Sequence, residues 1–412
     1  MKILITLNYQ REIPPFMLTE LTYAEKSYDK VIYITRELVN DNRSQLGENN
    51  IQIIQISKRD RVSSAVKLPV LFAQKAVISE LRNGIRFKEL PQHYIKYLLL
   101  ELYRTENIYH VAESVIKKYY KKAKITLQAV WFNECAIAIA KIKKKYPEIM
   151  AISFAHSYEI DPLRTVYVGY SLDQYKLDNL DKIDFIAKRM EKIYRKALPK
   201  WITYDENKLG IRYLGCIKLF DSKRRDAKDD FVLCTCSGCE AVKRIDLLIN
   251  ALSEWEAGPI TWIHIGGGPY LEEWKKLAHQ KLDQNRFINY RFEGKLVNRD
   301  VQRYYSEHYI SLFVNVSKSE GLPVSIMEAM SYGIPALATD VGGTAEIVTK
   351  DTGMLLNVDF SGSGLRAGIE YFFKMPEDLL EQYRERAFDM WKNNFDAVSN
   401  IHKYYLQLEQ DG

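Results

Sequence analysis

The sequence predicts an α/β protein built as two Rossmann-like domains facing across a deep cleft. Short β-branched runs alternate with helix-periodic stretches along nearly the whole chain. At 412 residues the chain exceeds what one ordinary core accommodates. Residues 218–230, KLFDSKRRDAKDD, are polar and charged with few apolar anchors, which suits a boundary between two such series.

In the first series, residues 2–7, 30–34 and 51–56 read as strands, and residues 15–26 as a helix opened by Pro15. The first strand–helix turn, where a dinucleotide-binding domain carries glycines, has none; the first glycine is Gly47. Residues 62–124 read as mainly helical. Residues 125–130 form a strand, 133–142 an Ala/Ile-rich helix, and 150–154 a strand running into AHSYEIDPLR. His156 therefore sits just past a strand end, beside Ser157, Glu159 and Asp161. It is either a polar residue closing a loop or a functional group at the ligand-binding edge of a parallel sheet. A strand at 183–186, a helix at 187–197 and short elements at 200–203 and 212–215 complete the series.

The second series opens with a strand at 231–235. Cys234, Cys236 and Cys239 in CTCSGC are unequally spaced and lack an evident fourth partner, so they read as small apolar groups and no metal site is expected. Residues 242–255 form a helix with Ile245, Leu248, Ile249 and Leu252 on one face. Lys243 and Arg244 near its start are either solvated or a phosphate clamp. The strand at 260–265 meets Gly266, Gly267 and Gly268, whose backbone can approach an anion. A strand at 286–292, closed by Glu293, Gly294 and Lys295, precedes a helix at 300–308.

Residues 313–348, FVNVSKSEGLPVSIMEAMSYGIPALATDVGGTAEIV, then form a βαβα unit. Its parts are a strand at 310–316, a polar loop, a helix at 324–332 with Pro323 in its first turn, a strand at 334–338, the pair Gly342–Gly343 and a short helix from about Thr344. The loops share one sheet edge, where such sheets bind anionic ligands. A strand at 353–356 and helices at 365–373, 376–393 and 395–408 finish the chain.

Apolar content of 47% and charged content of 27% are those of a globular protein. No run resembles a signal peptide or a membrane span, and five cysteines do not make a disulfide framework. A cytoplasmic location follows, peripheral at the inner face of a membrane at most. Charge is uneven: residues 1–220 carry 37 Lys and Arg against 24 Asp and Glu, and residues 221–412 carry 22 against 29. The basic clusters KKYYKKAK and KIKKK are either solvated helix ends or a surface for anionic lipid or a phosphorylated acceptor. No nucleic-acid-binding module accompanies them, so nucleic acid is not an expected partner.

Glu320 lies in a glycine-flanked loop, and Glu328 lies on the following helix, about 12 Å further if helical rise holds throughout. A carboxylate accepts two hydrogen bonds and so suits the diol of a sugar or ribose. Lys243, Lys295 and the glycine turns could hold a diphosphate through charge and backbone N–H groups.

The 313–348 stretch resembles the donor-site signature of the retaining GT-B glycosyltransferases of the glycogen-synthase-like group, family 4, with its E-x7-E spacing at Glu320 and Glu328. The likeness extends over KRIDLLINAL, IHIGGGPYLEEW and FEGKLVNRDVQRYYSEH. It continues more faintly into AVWFNECAIAIAKIKKKYP, AISFAHSYEID and LDNLDKIDFIAKRMEKIY. It implies a GT-B fold with an acceptor-side domain over 1–218, a nucleotide-sugar domain over 219–392 and a final helix, 393–412, crossing back to the first domain.

It also implies transfer of a hexosyl or N-acetylhexosaminyl group with retention, from a nucleotide-diphosphate sugar to a glycan, lipid-linked saccharide or glycoprotein. UDP-sugar is favoured and GDP-sugar is the alternative, with no tightly bound cofactor and no metal. By the same likeness Glu328 binds the ribose, Glu320 and His156 lie by the donor sugar, and Lys243 neutralises the departing diphosphate. Gly321, Leu322 and Pro323 bring backbone to the phosphates, with Gly267, Gly268, Arg244 and Lys295 around them.

Three positions depart from the pattern. Gly238 stands where relatives usually carry arginine, Ser157 follows His156 in place of glycine, and LNYQREIPPF lacks the first-domain glycine loop. The alternatives are an inactive GT-B subunit supporting a partner glycosyltransferase, or a sugar-nucleotide epimerase.

Overall fold

A computed structural model describes the chain except residues 39–49, 58–68, 70, 72, 88–93, 161–171, 223–230 and 412. The chain divides into two units: residues 1–213 with 398–412, and residues 214–397.

Among the described residues, unit one is built on a parallel sheet of seven strands: β1 (Lys2–Leu7), β2 (Lys30–Thr35), β3 (Ile51–Gln55), β4 (Lys124–Ala129), β5 (Met150–Ala155), β6 (Lys182–Phe185) and β7 (Leu209–Ile211). Their order is β3-β2-β1-β4-β5-β6-β7. β1 is central, with Ile5 opposite both Ile32 of β2 and Leu127 of β4. Its residues after Lys2 are buried, as expected of a strand covered by helices on both faces. The helix Glu134–Lys145 is capped by Asn133, whose side chain accepts from the Cys135 N–H at 3.2 Å.

The final helix, Ala397–Asp411, packs into unit one through buried tyrosines. Tyr405 donates to Gln128 at 2.9 Å and to Glu20, and Tyr404 donates to Asp184 at 2.6 Å.

Several sequence expectations change here. Within 62–124 the described helices are Lys75–Phe87 and Tyr94–Tyr119; much of the remainder, like the boundary stretch 223–230 and Asp161, lies outside the described residues. The last strand is Leu209–Ile211 rather than 200–203 or 212–215. Pairing with β6, Leu209 opposite Ile183, selects a three-residue edge strand that periodicity cannot mark.

The basic cluster KIKKK is not simply a solvated face. Lys141 meets Glu106 at 2.5 Å, Lys143 meets Asp181 at 2.8 Å and Lys145 meets Glu113 at 2.5 Å. Glu113 also takes Lys117 of the other cluster at 3.2 Å. Glu106 and Glu113 are buried on the helix Tyr94–Tyr119, so Lys141 and Lys145 fasten one helix to another.

Unit two carries a parallel sheet of β8 (Phe231–Cys236), β9 (Ile260–Ile265), β10 (Ile288–Gly294), β11 (Leu312–Asn315), β12 (Ala336–Thr339) and β13 (Gly353–Leu356), in the order β10-β9-β8-β11-β12-β13. One core cluster joins Leu248, Ile249 and Leu252 to Trp262, Trp274, Leu312, Val314 and Phe372. The unit begins at Leu214, ahead of the polar stretch, because Cys216 is already tied in. The Cys216 N–H donates to the Phe395 carbonyl at 3.0 Å, and Trp391 Nε1 donates to the Cys216 carbonyl at 3.1 Å. Among the described residues no helix is long and apolar enough to cross a membrane.

Candidate active site

Each sheet reverses its strand order once, between β8 and β11 in unit two and between β1 and β4 in unit one. At such a reversal the loops leaving two neighbouring strands diverge and open a crevice at the carboxyl edge.

In unit two the loop after β8 holds Lys243, and the loop after β11 holds Glu320. Lys243 Nζ lies 2.6 Å from Glu320 Oε1, and the Lys318 N–H donates to the Val242 carbonyl at 2.8 Å. Asn315 Nδ2 donates to the same carboxylate oxygen at 3.3 Å. Burial works against ionisation of Glu320. The Lys243 charge and the hydrogen bonds from Lys243, Ser317 and Asn315 outweigh it and hold the carboxyl below its ordinary range. The reversal therefore carries a fixed ion pair, with Lys243 about one-fifth exposed at 20%.

The single helix expected over 242–255 is broken. A 3-10 turn, Ala241–Lys243, and the helix Ile245–Ser253 are separated by Arg244 in the left-handed conformation, φ 50°. That conformation costs a side chain with a Cβ roughly 1–2 kcal/mol. It is offset by the guanidinium, which donates to the carbonyls of Val316 at 2.7 Å, Val358 at 2.8 Å and Ser317 at 3.3 Å. Arg244 thus fastens the base of the Glu320 loop.

The glycines act in the same way. Gly342 has φ 54°, and a Cβ there would lie 1.9 Å from the Glu320 carbonyl oxygen. The Gly343 N–H donates to the Gly321 carbonyl at 2.5 Å. This pair holds the buried Gly321–Leu322–Pro323 segment from outside. A Cβ on Gly268 would meet the Cys239 backbone at 2.7 Å, and one on Gly267 would meet Lys295 Cβ at 2.9 Å. The glycine turn is required by the packing of the 237–239 loop, and Lys295 is exposed beside it. Cys239 Sγ lies 3.3 Å from Nε2 of the buried His264, whose Nδ1 meets Thr235 at 2.9 Å. Cys234 and Cys239 are buried and Cys236 is half-buried.

Glu328 lies on the helix Val324–Ser331 and is 8% exposed. Pro323 is extended, with ψ 100°, and caps the helix instead of starting it, so helical rise does not span the Glu320–Glu328 interval. Burial raises the Glu328 carboxyl to about 7, against a lowering hydrogen bond from Asn298.

His156 belongs to unit one. It is buried after β5, with its ring 4.4 Å from Trp131 and 5.3 Å from Phe16. Nε2 lies 3.1 Å from the Val130 carbonyl, which can only accept, so Nε2 carries the proton and Nδ1 is left as an acceptor. Burial drops its pKa to about 4, so the ring is neutral at physiological pH. At this reversal Asn8 Oδ1 accepts from Trp131 Nε1 at 3.0 Å. Glu159 sits beneath, accepting from the N–H groups of Phe132 and His156; burial raises it to about 8.

The structure thus joins Lys243, Glu320 and the 321–323 backbone within unit two and leaves His156 in the other unit. Sequence reasoning passed over Asn298, Asn315 and Trp131. A polar amide inside a β-branched run was the available signal for Asn315.

The fold defined by these two parallel-sheet halves is GT-B. A structure of Anabaena HepE in complex with UDP superposes over 100% of both chains with a TM-score of 0.68 at 13% identity. The lipopolysaccharide outer core galactosyltransferase WaaB, in its apo form, superposes over 99% of both with a TM-score of 0.67 at 13% identity.

Residues 218–390 match the family described as glycosyl transferases group 1. The O-antigen biosynthesis glycosyltransferase WbnH of Escherichia coli is 35% identical over 146 residues, which are 35% of this chain and 37% of WbnH. The chain therefore matches little more than a third of the length of that relative.

Proposed function

We propose that the protein is a retaining glycosyltransferase that moves a sugar from a nucleotide-diphosphate donor, UDP-sugar first, to a hydroxyl of a saccharide-bearing acceptor. The observation that carries the reading is the Lys243–Glu320 pair at the strand-order reversal of unit two. A cation there faces the crevice in which open α/β sheets bind ligands, and a diphosphate gains charge as it departs. The family match over 218–390 and the UDP in the HepE structure support the same class of donor. The name of WbnH supports a saccharide acceptor of the O-antigen type.

In this reading Lys243 stabilises the leaving diphosphate. Glu320 fixes the lysine and, once the lysine turns to the phosphates, accepts from a sugar hydroxyl. Glu328 accepts from the ribose diol, while Gly321, Leu322 and Pro323 present backbone to the phosphates beside Lys295. His156 Nδ1 accepts from a donor-sugar hydroxyl as a neutral group. Arg244, Gly267 and Gly268 shape the loops.

The test is acceptor-dependent nucleotide release from UDP- and GDP-sugars, with short lipid-linked saccharides as acceptors and the product's anomeric configuration read by NMR. Release with a retained α-anomer from an α-donor is expected. No release and no nucleotide binding with any of these donors would overturn the reading, and an inverted product would remove retention.

A further inference from the structure

We propose that Asn298 and Gln302 are positioning residues that hold Glu328 in the orientation needed to accept from a ribose diol, with the polarity of the chain set by the backbone N–H of Leu219. The inference rests on the reading of Glu328 as the ribose ligand.

The hydrogen bonds run in one direction. The Leu219 N–H, which can only donate, meets Gln302 Oε1 at 3.0 Å, and the Tyr332 hydroxyl donates to the same oxygen at 3.1 Å. With its oxygen occupied by two donors, Gln302 must turn its amide nitrogen outward. Nε2 donates to Asn298 Oδ1 at 3.2 Å. The Asn298 amide is thereby fixed with its nitrogen toward Glu328, and Nδ2 donates to Glu328 Oε1.

Asn298 is exposed at the first turn of the helix Asn298–Glu307, where a lone amide would rotate freely. Gln302, one helical turn on and 1% exposed, removes that freedom. One carboxylate oxygen is spoken for by a donor of fixed direction, which leaves the other oxygen for ligand.

The groups that face Glu328 from neighbouring elements are Cys216, Cys236, Tyr305 and Tyr332. Burial raises all four, so none carries charge near neutral pH. Asn298 is the group that favours the carboxylate over the acid. Removing its donor therefore moves the protonation of Glu328 to higher pH, and nucleotide binding moves with it.

The experiment is calorimetric titration of the full chain with UDP and GDP from pH 6 to 9, on wild type, Asn298→Ala, Asn298→Asp and Tyr332→Phe. Wild-type affinity should rise through about pH 7 and level off. Asn298→Ala should bind about tenfold more weakly at neutral pH, the loss of one hydrogen bond to a charged group. Its midpoint should lie at higher pH, with Asn298→Asp shifted further by a second carboxylate. Tyr332→Phe, which removes a single hydroxyl and preserves the packing, should shift the midpoint in the same sense by less.

A melting temperature lowered without any change in midpoint would assign the residues a purely structural role and overturn the proposal. So would an Asn298→Ala variant with wild-type affinity and midpoint. Should Asn298→Ala fail to fold, an Asn298→Asp variant with the wild-type midpoint overturns it. Absence of nucleotide binding by the wild type would overturn the functional reading and this inference together, an outcome distinct from a wild type that binds and variants that match it.

Discussion

The two units share one strand order, with the first strand in sequence inside the sheet and the fourth beside it, yet they fill the crevice at that reversal with opposite chemistry. In unit two a lysine and an ionised carboxylate meet across it. In unit one an asparagine amide, an indole and a neutral imidazole meet there, through Asn8, Trp131 and His156. Neither unit derives this from the interior of its sheet, whose inner strands are buried and mainly apolar in both. The difference lies mainly in the loops and strand ends at that edge, which is where a fold with one backbone plan becomes specific. A fixed cation suits a diphosphate. A neutral, half-buried aromatic surface suits the hydroxyls and apolar faces of a sugar.

The largest way to break this contrast is to remove the cation. Lys243→Ala should lower kcat by about 10²–10³-fold, the cost of losing a donor aimed at developing charge, read by steady-state nucleotide release. A change of only a few-fold would show that Lys243 does not meet the leaving group.

Next, Gly342→Ala sets a Cβ against the Glu320 carbonyl in a left-handed conformation. Thermal melting should show a loss of about 1–3 kcal/mol, and the displaced Glu320 loop should reduce turnover about tenfold or more.

The units should also differ in pH response. Glu328, raised by burial to about 7, is protonated progressively as pH falls through that value, so nucleotide affinity should fall toward tenfold per unit below it. His156 stays neutral down to about 4 and contributes nothing to that limb. A flat affinity profile between pH 5.5 and 8 would contradict the assignment.

Smallest is Trp131→Phe, which removes the hydrogen bond to Asn8. It should cost unit one about 1 kcal/mol in denaturant unfolding and leave UDP affinity unchanged.

The strands were largely legible because their side chains decide them. The run after Lys2 is buried on both faces, and β-branched residues announce such strands without any tertiary knowledge. The E-x7-E spacing was legible as a motif for the same reason, being local. What sequence could not give was long-range. Arg244 looked like a helix-start cation, but its three carbonyl acceptors lie 72 to 114 residues away in the chain. Periodicity has no mark for a left-handed arginine, so one helix was read where there are two elements. The lysines of KIKKK looked like a solvated or lipid-facing cluster because Glu106 and Glu113, their buried partners, sit on another helix. The glycine pairs read in sequence as ligand cradles, and the structure adds a long-range reason for them that sequence does not carry, loop-on-loop packing.

The central claim is that the nucleotide is held by the charged half and not by the neutral one. UDP titration at pH 8, comparing wild type with Glu328→Ala and His156→Ala, tests it directly. UDP lacks the sugar that His156 would meet, so the account predicts affinity weakened about tenfold in Glu328→Ala and unchanged in His156→Ala. Equal affinities for wild type and Glu328→Ala, or a loss confined to His156→Ala, would contradict it.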